Sequence, residues 1–469
     1  MRGAGHPLDV LSPREEDTIH ANVLRIVDRV GLQVENAALL DRLASSGARV
    51  DCARQRATFA PAAVEEFIAS SRAWQKDEAA PHVHGGVNIY YGHYLDPRTD
   101  EYRPMSIELA REYYQVARAV PEVQHMGMLG CPLTGVPPAA EPLYERYWSW
   151  RLGVEPGGSI HRLELCPLIL EMYQVHAAVT RVPVDQLFHA AVYLVPPLRL
   201  GYQEAEQVRW FLDRGLRVSV GGSMLTGGAT APVTLAGMVT LAIAESLLLG
   251  LLNRALYGDR TWGISMSVTA MDPRTMMRPF GRPDMVLANL MGFQMARRYG
   301  CRAWGHSGLS DAMRPSPQAA AQKMQSALAS VLVRGSVSIE MGLLGIDQVY
   351  SPVQVLLDAE IMRSLAQFTR EYEVSDEAIA ADLVEAIGPG GSFAGEPHTA
   401  AWFRRELWEP VLWERRPFAT WHDGDGCTDL DRARERVLAI LESPPPPDPM
   451  PEEEERELRR IIERAAGRF

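Results

Sequence analysis

From about residue 105 onward the chain alternates short apolar runs with longer helical stretches, and this alternation restricts its fold more than any other feature. The candidate strands are His125–Leu129, Phe188–Val195, Arg217–Gly221, Trp262–Val268, Arg302–Gly305 and Ser336–Leu343. Apolar runs of this length, bounded by turn residues and separated by helices, are the pattern of parallel strands buried on both faces. Such a series implies an α/β architecture, either a barrel or a doubly wound sheet. Most of the runs end in Gly, Pro, Ser or His, as in Cys131-Pro132, Val195-Pro196, Gly221-Gly222-Ser223, Ser265-Met266-Ser267 and His306-Ser307. In a barrel those carboxyl-terminal strand ends build the active site.

Residues 1–104 read as an N-terminal cap. Ile19, Val23, Ile26 and Val27 recur at helical spacing, further helical stretches cover Ala37–Ala44 and Pro61–Ile68, and His82–His93 with the turn at Asp96–Asp100 reads as a β-hairpin. Residues 105–443 then form the body. In 444–469, Pro444–Pro447 and Pro449 stiffen a linker before a last helix. That helix starts with Glu452–Glu455, carries Arg459, Arg460 and Arg464 later, and presents Leu458, Ile461 and Ile462 as one apolar stripe. The stripe packs on the body or on a second subunit, so a homodimer is one expectation.

Several function classes lose their footing. With 47 Lys and Arg against 59 Asp and Glu, the net charge of −12 disfavours a nucleic-acid partner. Five dispersed cysteines (Cys52, Cys131, Cys166, Cys301, Cys427) without a C-x-x-C pair support neither a disulfide scaffold nor a zinc knuckle, and fit the cytoplasm. Val233–Tyr257 is long enough to cross a membrane, but Glu245, Asn253 and Arg254 interrupt it, so it reads as a buried helix. The string from Gly222 to Thr230 has phosphate-loop spacing with Gly228-Ala229 where Lys and Ser/Thr are needed, and H-E-x-x-H and G-x-S-x-G are absent. His82 and His84 share a metal-like H-x-H spacing but read as loop residues, so no metal site is expected. His306, at a strand end, either points into a barrel mouth or bonds a neighbouring loop.

Taken together, several strings resemble the corrinoid-linked trimethylamine methyltransferase (MttB) superfamily. They are Gly227–Gly237 followed by Ala244-Glu245, Ser310-Asp-Ala312 followed by Gln318–Lys323, Leu357–Ile361, Val384–Gly391 and His398-Thr399, and the likeness runs from about residue 13 to about residue 465. The resemblance implies a (β/α)8 TIM barrel, here with an N-terminal helical cap and a C-terminal helical extension. It implies transfer of a methyl group from a methylated amine to cob(I)alamin on a separate small corrinoid protein. Founding members carry pyrrolysine just before the S-D-A string; Leu309 stands there in this chain. The chain is thus similar to the non-pyrrolysine branch, whose members demethylate quaternary amines such as glycine betaine. No D-x-H-x-x-G string for holding cobalamin occurs, so the cofactor is expected on the partner.

A quaternary ammonium already carries its charge, so the protein's main tasks are to hold a cation in a dry pocket and aim one N–CH3 bond. Under the resemblance, the candidate cage is Tyr90, Tyr91, His93, Tyr94, Trp262, Trp304 and Glu340. Ser223, Ser265, Ser267, Ser307, Leu309 and Gln348 are further substrate-contact candidates. His306, Asp311 and Glu340 are the catalytic candidates, and Gly222, Gly227 and Gly228 the cofactor-facing ones. Met313, Gln322 and Gly345 depart from the family strings, where lysine, glutamate and an acidic segment are usual. Those departures leave two alternatives: a non-amine methyl donor, or a barrel that binds quaternary amines without turnover.

Overall fold

Helices begin where the sequence supplies caps. Pro13–Arg29 starts behind Ser12, whose side chain and that of Glu15 form a reciprocal capping box, satisfying amides that the first turn leaves without partners. This computed structural model describes residues 9–72, 83–131, 133–334 and 337–466. His82, Pro132 and Ser336, all named in the sequence reading, lie outside the described residues.

Every expected apolar run contains a strand, and the pairings between these strands are parallel. Ala191–Tyr193 pairs with Ser219–Gly221, Gly263–Met266 with Arg302–Gly305, and Leu225–Gly227 with Val268–Ala270. A four-stranded sheet runs in the order Val337–Glu340, Val83–Ile89, Val123–Met128, Glu155–Pro156. The fold is α/β, with helices such as Leu235–Tyr257 and Pro283–Tyr299 packed on the strands.

Two expectations are corrected. Val83–Ile89 is not a hairpin arm; it lies between two parallel partners, and the antiparallel turn around Asp96–Asp100 joins His93–Leu95 to Tyr102–Pro104. Gly85 makes the central placement feasible, since a Cβ there would approach Met341 Sδ to 2.2 Å. The parallel sheets therefore start inside the segment read as a cap. The cap is also tied to the body, because Leu32–Val34 pairs in parallel with Arg199–Leu200.

Two apolar helices find their cover within the chain. Leu235–Tyr257 is the one described helix long and apolar enough to cross a membrane, and 78% of its most apolar window is buried. Its buried Glu245 is satisfied by the amides of Ser223 (2.6 Å) and Leu198 (3.2 Å) and by Ser223 Oγ (2.7 Å). In the last helix, Glu452–Ala466, the stripe Leu458, Ile461 and Ile462 is buried with Cys166–Thr180. That stripe is spent inside the chain and offers no contact to a homodimer.

Candidate active site

Period-two alternation gives the strands two chemically different faces. Val87, Ile89, Val192, Val220, Ile264, Ala303, Val337 and Ile339 join the buried apolar clusters with the helices. Their alternates, Asn88, Tyr193, Gly221, Ser265, Trp304, Ser338 and Glu340, turn to the other face. There Tyr193 remains 61% and Trp304 51% exposed. Gly221 lets the Tyr193 ring lie across the paired strand, since a Cβ at 221 would stand 2.6 Å from the ring.

Titratable groups from separate sheets converge on this polar face. Glu340, at the end of Val337–Glu340, accepts a hydrogen bond from Asn88 Nδ2 at 3.0 Å. Burial raises its carboxyl above the usual range, opposed by Asn88, Lys323 and His125. The Tyr90 phenol is raised by burial and by Glu340, Asp347 and Tyr193, which places each of the three within electrostatic reach of Tyr90. Asp347 sits in a run of left-handed residues, Gly345, Ile346 and Asp347, with φ of 61°, 57° and 63°. That conformation costs a non-glycine residue about 1–2 kcal/mol. Asp347 Oδ1 is buried without a hydrogen-bond partner. Burial, reinforced by Glu340, pushes the Asp347 carboxyl up to about 7.

The expected residues divide three ways. His306 Nε2 lies 2.9 Å from Ser267 Oγ, just beyond two paired strand ends, so both stand on the convergent side. Burial, aided by the positive charge of Arg278, pushes His306 down to about 4, leaving a neutral imidazole. Tyr90, Ser265, Trp304 and Glu340 share this side. Gly222 follows the strand end beside them, where an added Cβ would stand 3.8 Å from Ser265 Cβ.

Tyr91 and Gln348 are exposed in loops, and His93 is exposed at the start of the strand His93–Leu95. The Tyr91 hydroxyl donates to Glu141, and the His93 amide donates to Gln348 O at 2.8 Å.

The remaining candidates serve the scaffold. Asp311 uses both carboxylate oxygens to hold the amides of Phe280 (2.6 Å) and Gly281 (3.0 Å), so it positions the 271–281 loop rather than facing substrate. Ser223 is closed off by Glu245, and Ser307 by Ser330 at 2.7 Å. Tyr94 is fully buried with its hydroxyl on Glu112, Trp262 packs between Phe67 and Tyr299, and Leu309 belongs to the apolar core. Gly227 admits Met238, whose Sδ would lie 2.4 Å from a Cβ, and Gly228, at φ +88°, shapes the following turn. These glycines are required by packing and backbone conformation.

Asn88, His125, Tyr193, Arg278 and Asp347 escaped the sequence reading. Their only signal was position, on one face of short strands or in the loops after them. Among the described residues no group of three or more His, Cys, Asp or Glu is placed to hold a metal.

The carboxyl at 347 yields a first prediction. A cation bound beside it favours its ionised form, so affinity for a small organic cation is expected to rise between about pH 6 and about pH 8, by at most about tenfold per unit. Titration calorimetry at fixed ionic strength checks this; a flat profile contradicts it.

A sequence model of the family described as trimethylamine methyltransferase (MTTB) matches residues 2–468. The trimethylamine methyltransferase MttB of Desulfitobacterium hafniense (strain DSM 10664 / DCB-2) is 24% identical over 462 residues, 94% of this chain and 91% of that one. The glycine betaine methyltransferase of Desulfitobacterium hafniense (strain Y51) is 23% identical over 432 residues, 88% of each chain. The crystal structure of the Methanosarcina barkeri monomethylamine methyltransferase (MtmB) aligns over 96% of this chain and 92% of its own, with a TM-score of 0.44 and 10% identity.

Proposed function

The chain belongs to the trimethylamine methyltransferase (MTTB) family, and from that premise we propose that it moves a methyl group from a betaine-like quaternary amine to a corrinoid carried by a separate small protein. One observation carries the reading: the carboxyl groups of Glu340 and Asp347, both largely shielded from solvent, lie within electrostatic reach of the Tyr90 phenol on the polar side of the strands. Carboxylates and aromatic faces together suit a cation that cannot donate hydrogen bonds. In this reading the parallel pairs close into a (β/α)8 barrel with that face inside, and the enzyme works in the cytoplasm, where its free cysteines stay reduced.

The corrinoid supplies the cobalt nucleophile that accepts the methyl group. Its approach suits the loops at this end, where Met224, Met276, Met277 and Met313 are exposed after successive strands. Methionine is flexible and polarizable, and adapts to a broad apolar surface.

The chain's own residues do the rest. Glu340 and Asp347 hold the ammonium, the tyrosines shield it from water, and the fixed strand ends aim one N–CH3 bond at the mouth. Positioning of this kind is the main catalytic contribution when the substrate already carries its leaving-group charge.

Calorimetric titration with glycine betaine and with 3,3-dimethylbutanoate, in which a neutral tert-butyl group replaces the trimethylammonium, tests cation recognition. The betaine is expected to bind and the isostere to bind far more weakly. Tyr193→Ala should cost the betaine about 2- to 5-fold, the span of about 0.5–1 kcal/mol for a cation–π contact at an exposed ring. Equal binding of the two ligands would refute the proposal.

A further inference from the structure

Among the described residues Arg278 is the arginine with two buried side-chain nitrogens that lack a partner. It lies in the 271–281 loop, after the strand Val268–Ala270, and only its Nη2 has a hydrogen-bond acceptor, Ser267 O at 2.9 Å. Its Nε and Nη1 are shut off from solvent with no partner. Buried N–H donors on a cation are costly to leave unmet, so a native fold retains them where something else completes them.

The loop is built to hold this arginine still. Asp311 fixes the next two amides, Phe280 and Gly281, and Thr269 Oγ1 donates to Pro279 O at 3.0 Å. Met276 takes a left-handed φ of +60°, with its amide bonded to Asp272 O at 2.8 Å. The guanidinium carbon stands 5.5 Å from the Phe280 ring centroid.

The surroundings define what is missing. Asp347 lies within electrostatic reach of Arg278 and also has a buried oxygen without a partner, yet the two form no ion pair. An unpaired cation and an unpaired anion held apart in one site complement a molecule with the opposite charges at its two ends. We infer that Arg278 anchors the carboxylate of a zwitterionic quaternary amine, while Asp347 and Glu340 face its ammonium, so that Arg278 selects betaine-type substrates over cations without a carboxylate. This rests on the function proposed above, which already takes a betaine-like donor, and adds the residue that recognises the donor's carboxylate. His306, neutral beside the guanidinium, adds no competing charge there.

The test compares wild type, Arg278→Met and Arg278→Lys with glycine betaine, choline and tetramethylammonium, using free cob(I)alamin as methyl acceptor and calorimetry for binding. Wild type is expected to favour the betaine by about 10²-fold in kcat/KM, since a site built to bond a substrate group rejects analogues lacking it. Arg278→Met should abolish that preference through KM, leaving choline within about threefold of wild type, and Arg278→Lys should restore part of it. Equal treatment of betaine and choline by wild type would overturn the inference, as would equal losses for both in Arg278→Met. If wild type transfers no methyl group at all, the functional reading fails and the anchor is judged by binding. Selective loss of betaine binding in Arg278→Met would then support it, and unchanged binding would overturn it.

Discussion

Replacing Lys323 by methionine is expected to lower the stability of the fold by about 3–5 kcal/mol, the usual cost of leaving one buried charge without its partner. Lys323 is fully buried, and its Nζ donates to Gly308 O (2.8 Å), Glu340 O (2.9 Å) and Asp358 Oδ2 (2.8 Å). Asp358 in turn accepts from the Gly342 amide and from Gln354 Nε2, each at 2.8 Å. One ion pair thus joins the turn after Arg302–Gly305, the end of Val337–Glu340 and the helix Pro352–Phe368. Denaturant unfolding measures the loss, and Lys323→Met/Asp358→Leu should recover part of it by removing the stranded carboxylate. A single variant as stable as wild type would show that the pair is not what holds these strand ends.

Glu340→Gln is expected to weaken binding of a quaternary ammonium by about 2–5 kcal/mol, the range for truncating one partner of a buried charge pair. The amide keeps an oxygen to accept from Asn88, so the change removes charge with little change of shape. Because burial holds this carboxyl above its ordinary range, its removal should leave the melting temperature equal or higher. Lost affinity together with undiminished stability separates a binding role from a structural one. Parallel losses of both would assign Glu340 to the scaffold.

The alternation of apolar runs was enough to locate six of the parallel strands but not Val83–Ile89 or Leu225–Gly227, because only strands buried under helices show themselves as consecutive apolar residues. It was not enough to orient them. Val83–Ile89 contains Gly85, Gly86 and Asn88, which read as turn material until the neighbouring strands and Met341 explain the need for small residues. Trp262 and Trp304 looked equivalent in sequence; Trp262 precedes its strand and is buried among aromatic rings, whereas Trp304 pairs opposite Ser265 and stands on the polar face.

The site was legible where a residue stood at a strand end, as Glu340, Ser267 and His306 do. Asp311 stood in a suggestive string yet serves the 271–281 loop. Arg278 and Asp347 stood in no string at all. Their importance comes from desolvation and from missing partners, properties that exist only once the chain has folded.

Mixing the protein with reduced cob(I)alamin and a panel of glycine betaine, carnitine, choline and trimethylamine, and following the visible spectrum, tests methyl transfer most directly. Conversion to methylcob(III)alamin with a carboxylate-bearing quaternary amine, matched by an equal amount of the demethylated product, is the expected result. No conversion with any of them, while one still raises the melting temperature, would contradict catalysis and leave a protein that binds quaternary amines without turnover.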